Sequence, residues 1–271
     1  MALLCLHCGF AEAKIRVLVS VAPYMQVVTD IGGDEVEVQL VVPQGADSHN
    51  YEPTPRQIQE AAHAKVWFTV GELFENKAIE VLRRQNEQLI VCDLRQGLTL
   101  EHAGCHHHQG MADPHIWMSP KMMQHEVRLI GQALQRVLPE KQEEIASRLQ
   151  AYLERLTLLD QEIHSLMQGA SGKTVFVVHP AYGYFCREYG VTQLSLEEEG
   201  KEPTIKRLLE IIAQAKTLHI DTLFIQSQYG SKAADYIAKE IGANVVVLQA
   251  NLPDYFQMMH GIATQFAVAA R

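Results

Sequence analysis

The sequence has no run of 18 or more uninterrupted apolar residues, the length a helix needs to cross a bilayer, so it predicts no transmembrane segment. Basic residues are scarce. There are 23 Lys and Arg against 32 Asp and Glu, a formal charge of −9. Without a basic stripe, a nucleic-acid partner is excluded. Cysteine is sparse and odd in number at five. Past the first thirteen residues only Cys92, Cys105 and Cys186 remain, and nothing in their spacing reads as a disulfide framework or a Cys-x-x-Cys zinc site. A Gly-rich phosphate loop, a Gly-x-Ser-x-Gly elbow and a His-Glu-x-x-His helix are all missing.

What is present is a chain of 271 residues that is 47% apolar, enough for one large or two modest domains. Residues 1–13 form a short apolar run that ends in Ala11-Glu12-Ala13, like the core and cleavage site of a secretory signal, although without a basic start. The expectation is an exported, periplasmic or extracytoplasmic protein. From Ile15 onward, short β-branched runs alternate with helical stretches. The strands expected are 15–20, 36–42, 64–70 and 89–92, with helices at 23–31, from Pro55, and from Gly71 to about Arg84. That rhythm indicates βαβ units and a mainly parallel sheet, with ligands at the carboxyl ends of the strands.

Strand signals then stop for about fifty residues. Ser119-Pro120 reads as a helix cap followed by Pro at the first turn. Apolar stripes run from Met122 to Leu138 and, after Pro139, from Ile145 to Met167. The second stripe suits a long linking helix better than a coiled-coil seam. The α/β rhythm resumes with strands at 174–178, 192–196, 222–225 and 244–248, and helices at 203–216, 231–241 and 254–269. The predicted architecture is an α/β protein of two lobes, each a mainly parallel sheet flanked by helices, joined by a long linking helix. The divisions expected are residues 14–118, 119–169 and 170–271. A cleft between lobes is a favoured binding position.

Three of the 13 histidines occupy matching settings. His49 lies in the loop after the second strand. His115 lies in the proline-braced turn Asp113-Pro-His-Ile-Trp-Met-Ser-Pro120. His179 follows the first strand of the second lobe. Imidazoles presented by loops suit zinc, iron and copper, whereas oxygen donors suit manganese. His102, His106, His107 and His108 crowd the segment just before the His115 turn, a composition that favours metal. His63, His125, His164, His219 and His260 lie in or beside regular elements and read as structural. Glu197-Glu198-Glu199 reads as a solvated acidic turn, and Trp117 as packing beside His115.

The segments Gly45-Ala-Asp-Ser-His49-Asn-Tyr-Glu-Pro-Thr-Pro55, Asp113–Pro120 and Val178-His179-Pro-Ala-Tyr-Gly-Tyr-Phe185 closely resemble three signatures of one family. It is the TroA-like family, the zinc- and manganese-binding solute-binding proteins of ABC importers, of zinc-uptake (ZnuA) type. The resemblance runs in order from about Lys14 to the end. It implies metal ligands at His49, His115 and His179, and a fourth, acidic ligand after the last strand. Gln249 stands where that acid is expected, so Gln249, Asp254 or a water remains open as the fourth ligand. Loss of the acid weakens manganese more than zinc. The resemblance further implies Zn2+ as the ion, with Mn2+ or Fe2+ as alternatives. It implies a low-affinity collecting role for His102 and His106–His108, an ABC permease as partner, and a monomer without enzymatic activity. The competing reading is a zinc hydrolase, since three histidines plus water is also a catalytic arrangement. Glu199, Glu202 or Asp254 would then supply the base. A surface adhesin is a minor third possibility.

Overall fold

The computed structural model describes residues 13–101, 112–197, 203–229 and 232–270. Residues 1–12 of the possible signal segment, the histidines at 102 and 106–108, and Glu199 and Glu202 lie outside the described residues.

Two parallel four-stranded sheets make two lobes. The first comprises β1 (Ile15–Val19), β2 (Val36–Leu40), β3 (Val66–Thr69) and β4 (Ile90–Asp93) in the order β2-β1-β3-β4. Between the strands run α1 (Pro23–Gly32), α2 (Pro55–Ala61) and α3 (Leu73–Gln85). The second sheet comprises β5 (Thr174–Val177), β6 (Thr192–Ser195), β7 (Thr222–Gln226) and β8 (Asn244–Leu248) in the order β6-β5-β7-β8. Its helices are α6 (Gly183–Glu188), α7 (Ile205–Thr217), α8 (Lys232–Ile241) and α9 (Tyr255–Ala269). The two sheets repeat one topology, in which the first strand sits between the second and third.

The central strands are apolar on both faces because both faces are covered. Val17, Val19, Val66 and Phe68 point into a core shared by the two lobes, while Leu18 and Trp67 point into a separate core under α2 and α3. Val175, Val177 and Phe224 join the shared core, and Phe176 and Leu223 face α7 and α8.

The lobes are joined by α4 (Pro120–Val137) and α5 (Gln142–Met167). Ser119 caps α4 by accepting from the Met122 amide at 3.1 Å, and Pro120 takes the first position, as the sequence predicts. The linking helix α5 has 26 residues, about 39 Å at ~1.5 Å per residue. Ile145, Tyr152, Leu156, Leu159, Ile163 and Met167 of α5 are buried in the core that also holds Tyr24 of α1 and Phe266 of α9. Polar ties reinforce this seam. Arg148 donates to the Gly32 carbonyl at the end of α1 at 2.6 Å, and Arg155 pairs with Asp30 at 3.2 Å while lying over the Phe256 ring. Gly33 ends α1 with φ +69°, where an added Cβ would collide with the Arg148 guanidinium.

The short helix α6 forms where the sequence reads as a helix start near Cys186. Its six residues are too few for a periodic stripe, yet they bury Tyr184, Phe185 and Cys186 at the lobe interface.

Candidate metal centre

Each of the three histidines is delivered by a short loop whose shape is fixed locally. After β2 the chain enters a turn in which Asp47 accepts the His49 amide at 3.0 Å and the Asn50 side chain at 2.6 Å. The loop closes on α2 through a capping box between Thr54 and Gln57. His115 is set by Asp113, whose carboxylate accepts the His115 amide at 2.9 Å. A single 3-10 turn, Ile116–Met118, then leads into α4. The second lobe grips the same turn, because Tyr184 donates to the Asp113 carbonyl at 3.1 Å and Tyr255 to the Trp117 carbonyl at 2.8 Å. His179 follows β5, which Val178 extends by donating to the Phe224 carbonyl at 2.9 Å.

The three imidazoles meet in the gap between the lobes. His49 Nε2 lies 3.1 Å from His179 Nε2, which lies 3.3 Å from His115 Nε2. All three rings are buried, with residue exposures of 5%, 4% and 2% for His49, His115 and His179. Among the described residues they form the one group of His, Cys, Asp and Glu side chains whose ligand atoms converge. A tetrahedral zinc with Zn–N bonds of ~2.0–2.1 Å holds its nitrogens roughly 3.3 Å apart, so this spacing suits such an ion.

Sequence reasoning missed the carboxylates behind the histidines. Each Nδ1 faces an acid: His49 to Glu72 at 3.0 Å, His115 to Asp113 at 2.6 Å and His179 to Glu197 at 2.8 Å. A carboxylate on Nδ1 places the proton there, leaves the Nε2 lone pair for a cation and raises its basicity. The reading of Glu197 as part of a solvated turn is thereby corrected. Asp113-x-His115 was visible as a near-neighbour pair. Glu72, 23 residues beyond His49, had no local signal because only the β2–β1–β3 order brings the start of α3 beside the His49 loop. Ser48 also donates to Glu72, at 2.7 Å. Burial alone would raise the Glu72 pKa, but the facing imidazole and the Ser48 hydroxyl bring it down to about 2. For His49 burial acts to lower the pKa, and the Glu72 charge and hydrogen bond outweigh it, so the net movement is upward.

The two candidate fourth ligands have other contacts. Asp254 caps α9, its Oδ1 accepting the Gln257 amide at 3.0 Å. Gln249 is exposed past the end of β8 and borders a groove with Leu252, Gln257 and Met258, which none of the three histidines touches. Trp117 packs edge-on to His115, ring centroids 5.4 Å apart. The other described histidines stay outside the cluster. His63, His219 and His260 are exposed, His125 approaches the Gln96 carbonyl at 2.7 Å, and His164 pairs with Asp160 at 3.1 Å.

A family profile described as "Zinc-uptake complex component A periplasmic" matches residues 17–269. The chain belongs to this family. A crystal structure of ZnuA superposes with a TM-score of 0.90 at 31% identity, covering 96% of this chain and 100% of the other. A zinc-bound ZnuA deletion mutant gives a TM-score of 0.89 at 31% identity, over 95% and 98% of the two chains. The zinc-binding protein AdcA of Streptococcus pyogenes serotype M3 is 25% identical over 260 residues, which span 88% of this chain and 50% of AdcA. The ZnuA/AdcA-type family comprises metal-binding solute-binding proteins, and the two-lobed fold expected from sequence is that of its solved members. It is a family of substrate-binding transport proteins and not of enzymes, and the hydrolase alternative finds no support in it. Among the described residues no helix is long and apolar enough to cross a membrane.

Proposed function

We propose that this chain captures one divalent transition-metal ion through Nε2 of His49, His115 and His179, with a water as the fourth ligand, and delivers it to an ABC-type permease outside the cytoplasm. Zinc is the favoured cargo, with manganese or iron as lesser alternatives, because the donor set among the described residues is three imidazoles, with no described carboxylate joining them. The observation that carries the reading is the convergence of three buried Nε2 atoms at 3.1 and 3.3 Å, each backed by a carboxylate on Nδ1. Affinity follows from preorganisation. The rings are held before the ion arrives, so little ordering entropy is lost on binding. The protein acts as a monomer, with residues 14–118 and 170–271 as the lobes and 119–169 as the linking helices.

Titration calorimetry with zinc and manganese tests the reading. The wild-type chain binds one zinc, and His49→Ala, His115→Ala and His179→Ala each weaken it by on the order of 100-fold or more, beyond the 10–100-fold typical of groups that only orient a ligand. Unchanged zinc binding in any of the three would remove that histidine from the site.

A further inference from the structure

On α4, the helix that follows the His115 turn, lies a buried carboxyl that metal capture does not use directly. Glu126 sits on the inner face of α4 with 0% exposure, among Met123, Val127 and Ile130. Its Oε2 accepts from the Tyr24 hydroxyl at 2.5 Å, and its Oε1 has no hydrogen-bond partner among the described residues. Burying a carboxyl with one partner is costly, and an apolar side chain would pack there without that penalty. Burial pushes the group up to about 8, so at neutral pH it is mostly uncharged and acts as a hydrogen-bonding group. The titratable groups that act electrostatically with it are the phenols of Tyr24 on α1, Tyr184 on α6 and Tyr255 on α9.

Glu126 reaches the site through ring contacts. The Tyr24 ring meets Trp117 edge-on at 6.2 Å between centroids, and Trp117 meets His115 edge-on at 5.4 Å. A single Nδ1–carboxylate bond fixes one point on an imidazole but not the plane of the ring. A flat neighbour fixes the plane. Trp117 is that neighbour for His115, and Trp117 is held by Tyr24 on its ring and by Tyr255 on its carbonyl. Tyr24 in turn is anchored at its hydroxyl by Glu126.

We infer that Glu126 and Tyr24 are positioning residues for metal capture: their hydrogen bond braces Trp117, which sets the plane of the His115 imidazole in the ligand cluster. This rests on the proposed three-histidine site. The experiment measures zinc affinity by competition with a chromophoric chelator, and the visible spectrum of the Co2+-loaded chain, which reports ligand geometry. Tyr24→Phe and Glu126→Leu each weaken zinc ~10-fold, the low end of the range for groups that orient a ligand, and shift the Co2+ bands. Glu126→Gln, whose amide oxygen still accepts from Tyr24, restores both to wild-type values. If Glu126→Leu does not fold, Tyr24→Phe, which removes a single oxygen, carries the test. Wild-type affinity and spectrum in Tyr24→Phe, whatever its melting temperature, would overturn the inference. Failure of the wild-type chain to bind zinc or Co2+ would overturn the three-histidine reading instead.

Discussion

His49 and His179, 130 residues apart and on different lobes, bring their Nε2 atoms to 3.1 Å while each keeps a carboxylate on Nδ1. The pair shows how the cluster is assembled. Neither lobe contains it, and each ring is aimed from behind by an acid of its own lobe.

Those acids are the first prediction. Glu72→Gln, Asp113→Asn and Glu197→Gln leave the histidines in place but loosen the rings and lower the basicity of Nε2. Each weakens zinc by about 10–100-fold. Calorimetry on the three variants checks this, and an affinity within twofold of wild type would assign the carboxylate to folding alone.

The pH dependence of stability in the metal-free chain follows from the shifted groups. The His49 pKa is raised, so its contribution is full below the unfolded value near 6.5 and is lost as pH rises through the folded value. Glu72 falls to about 2, so its contribution is present above the unfolded value near 4.5 and is lost as pH falls toward 2. The two describe one ion pair, whose contribution to stability is full between about pH 4.5 and 6.5. Glu126 acts in the opposite sense. It stays protonated up to about pH 8 when folded and ionises near 4.5 when unfolded, so stability falls with pH across that interval. The slope it imposes is about 1.4 kcal/mol per pH unit. Melting temperatures of Glu126→Gln between pH 5 and 8 should therefore decline less steeply than those of wild type. Parallel curves would show that Glu126 does not titrate there.

Gln249→Asp restores an acid where the resemblance expects one. Gln249 is exposed and borders a groove beside α9 that none of the three histidines lines. The substitution therefore leaves the zinc-to-manganese preference unchanged in competition titrations. A clear gain in manganese affinity would show that the β8–α9 loop bends toward the ion.

Because α5 is buried in a core shared by both lobes and is tied to α1 by Arg148 and Arg155, metal capture proceeds without a wide hinge. Small-angle scattering should give the same radius of gyration with and without zinc. A measurable contraction on binding would count against the shared core as a rigid joint.

Much of this was legible in the chain itself. The β-branched runs at Ile15, Val36, Val66 and Thr174 are short and bounded by turn residues, and local backbone chemistry suffices to make them strands. Ser119-Pro120 and Thr54-Pro55 mark helix starts through bonds that span three residues. The histidines stood out because loops after strands are where such sheets hold ligands. What the local signal could not carry is any relation across the fold. The six residues of α6 owe their helix to burial at the interface. Glu197 looked solvated because three acids in a row usually are, and only the turn after β6 sets it against His179.

Local signals in the chain carry the element types, the two-lobe plan and the three loop-borne imidazoles, because periodicity, caps and prolines act within a few residues of one another. Packing across the fold set the acids behind those rings, placed Asp254 at the α9 cap and Gln249 on a groove beside it, and buried Glu126 against Tyr24. Those outcomes depend on strand order and on packing between segments up to more than a hundred residues apart, as with Tyr24 and Glu126 at 2.5 Å, and no local pattern encodes a partner at that distance along the chain.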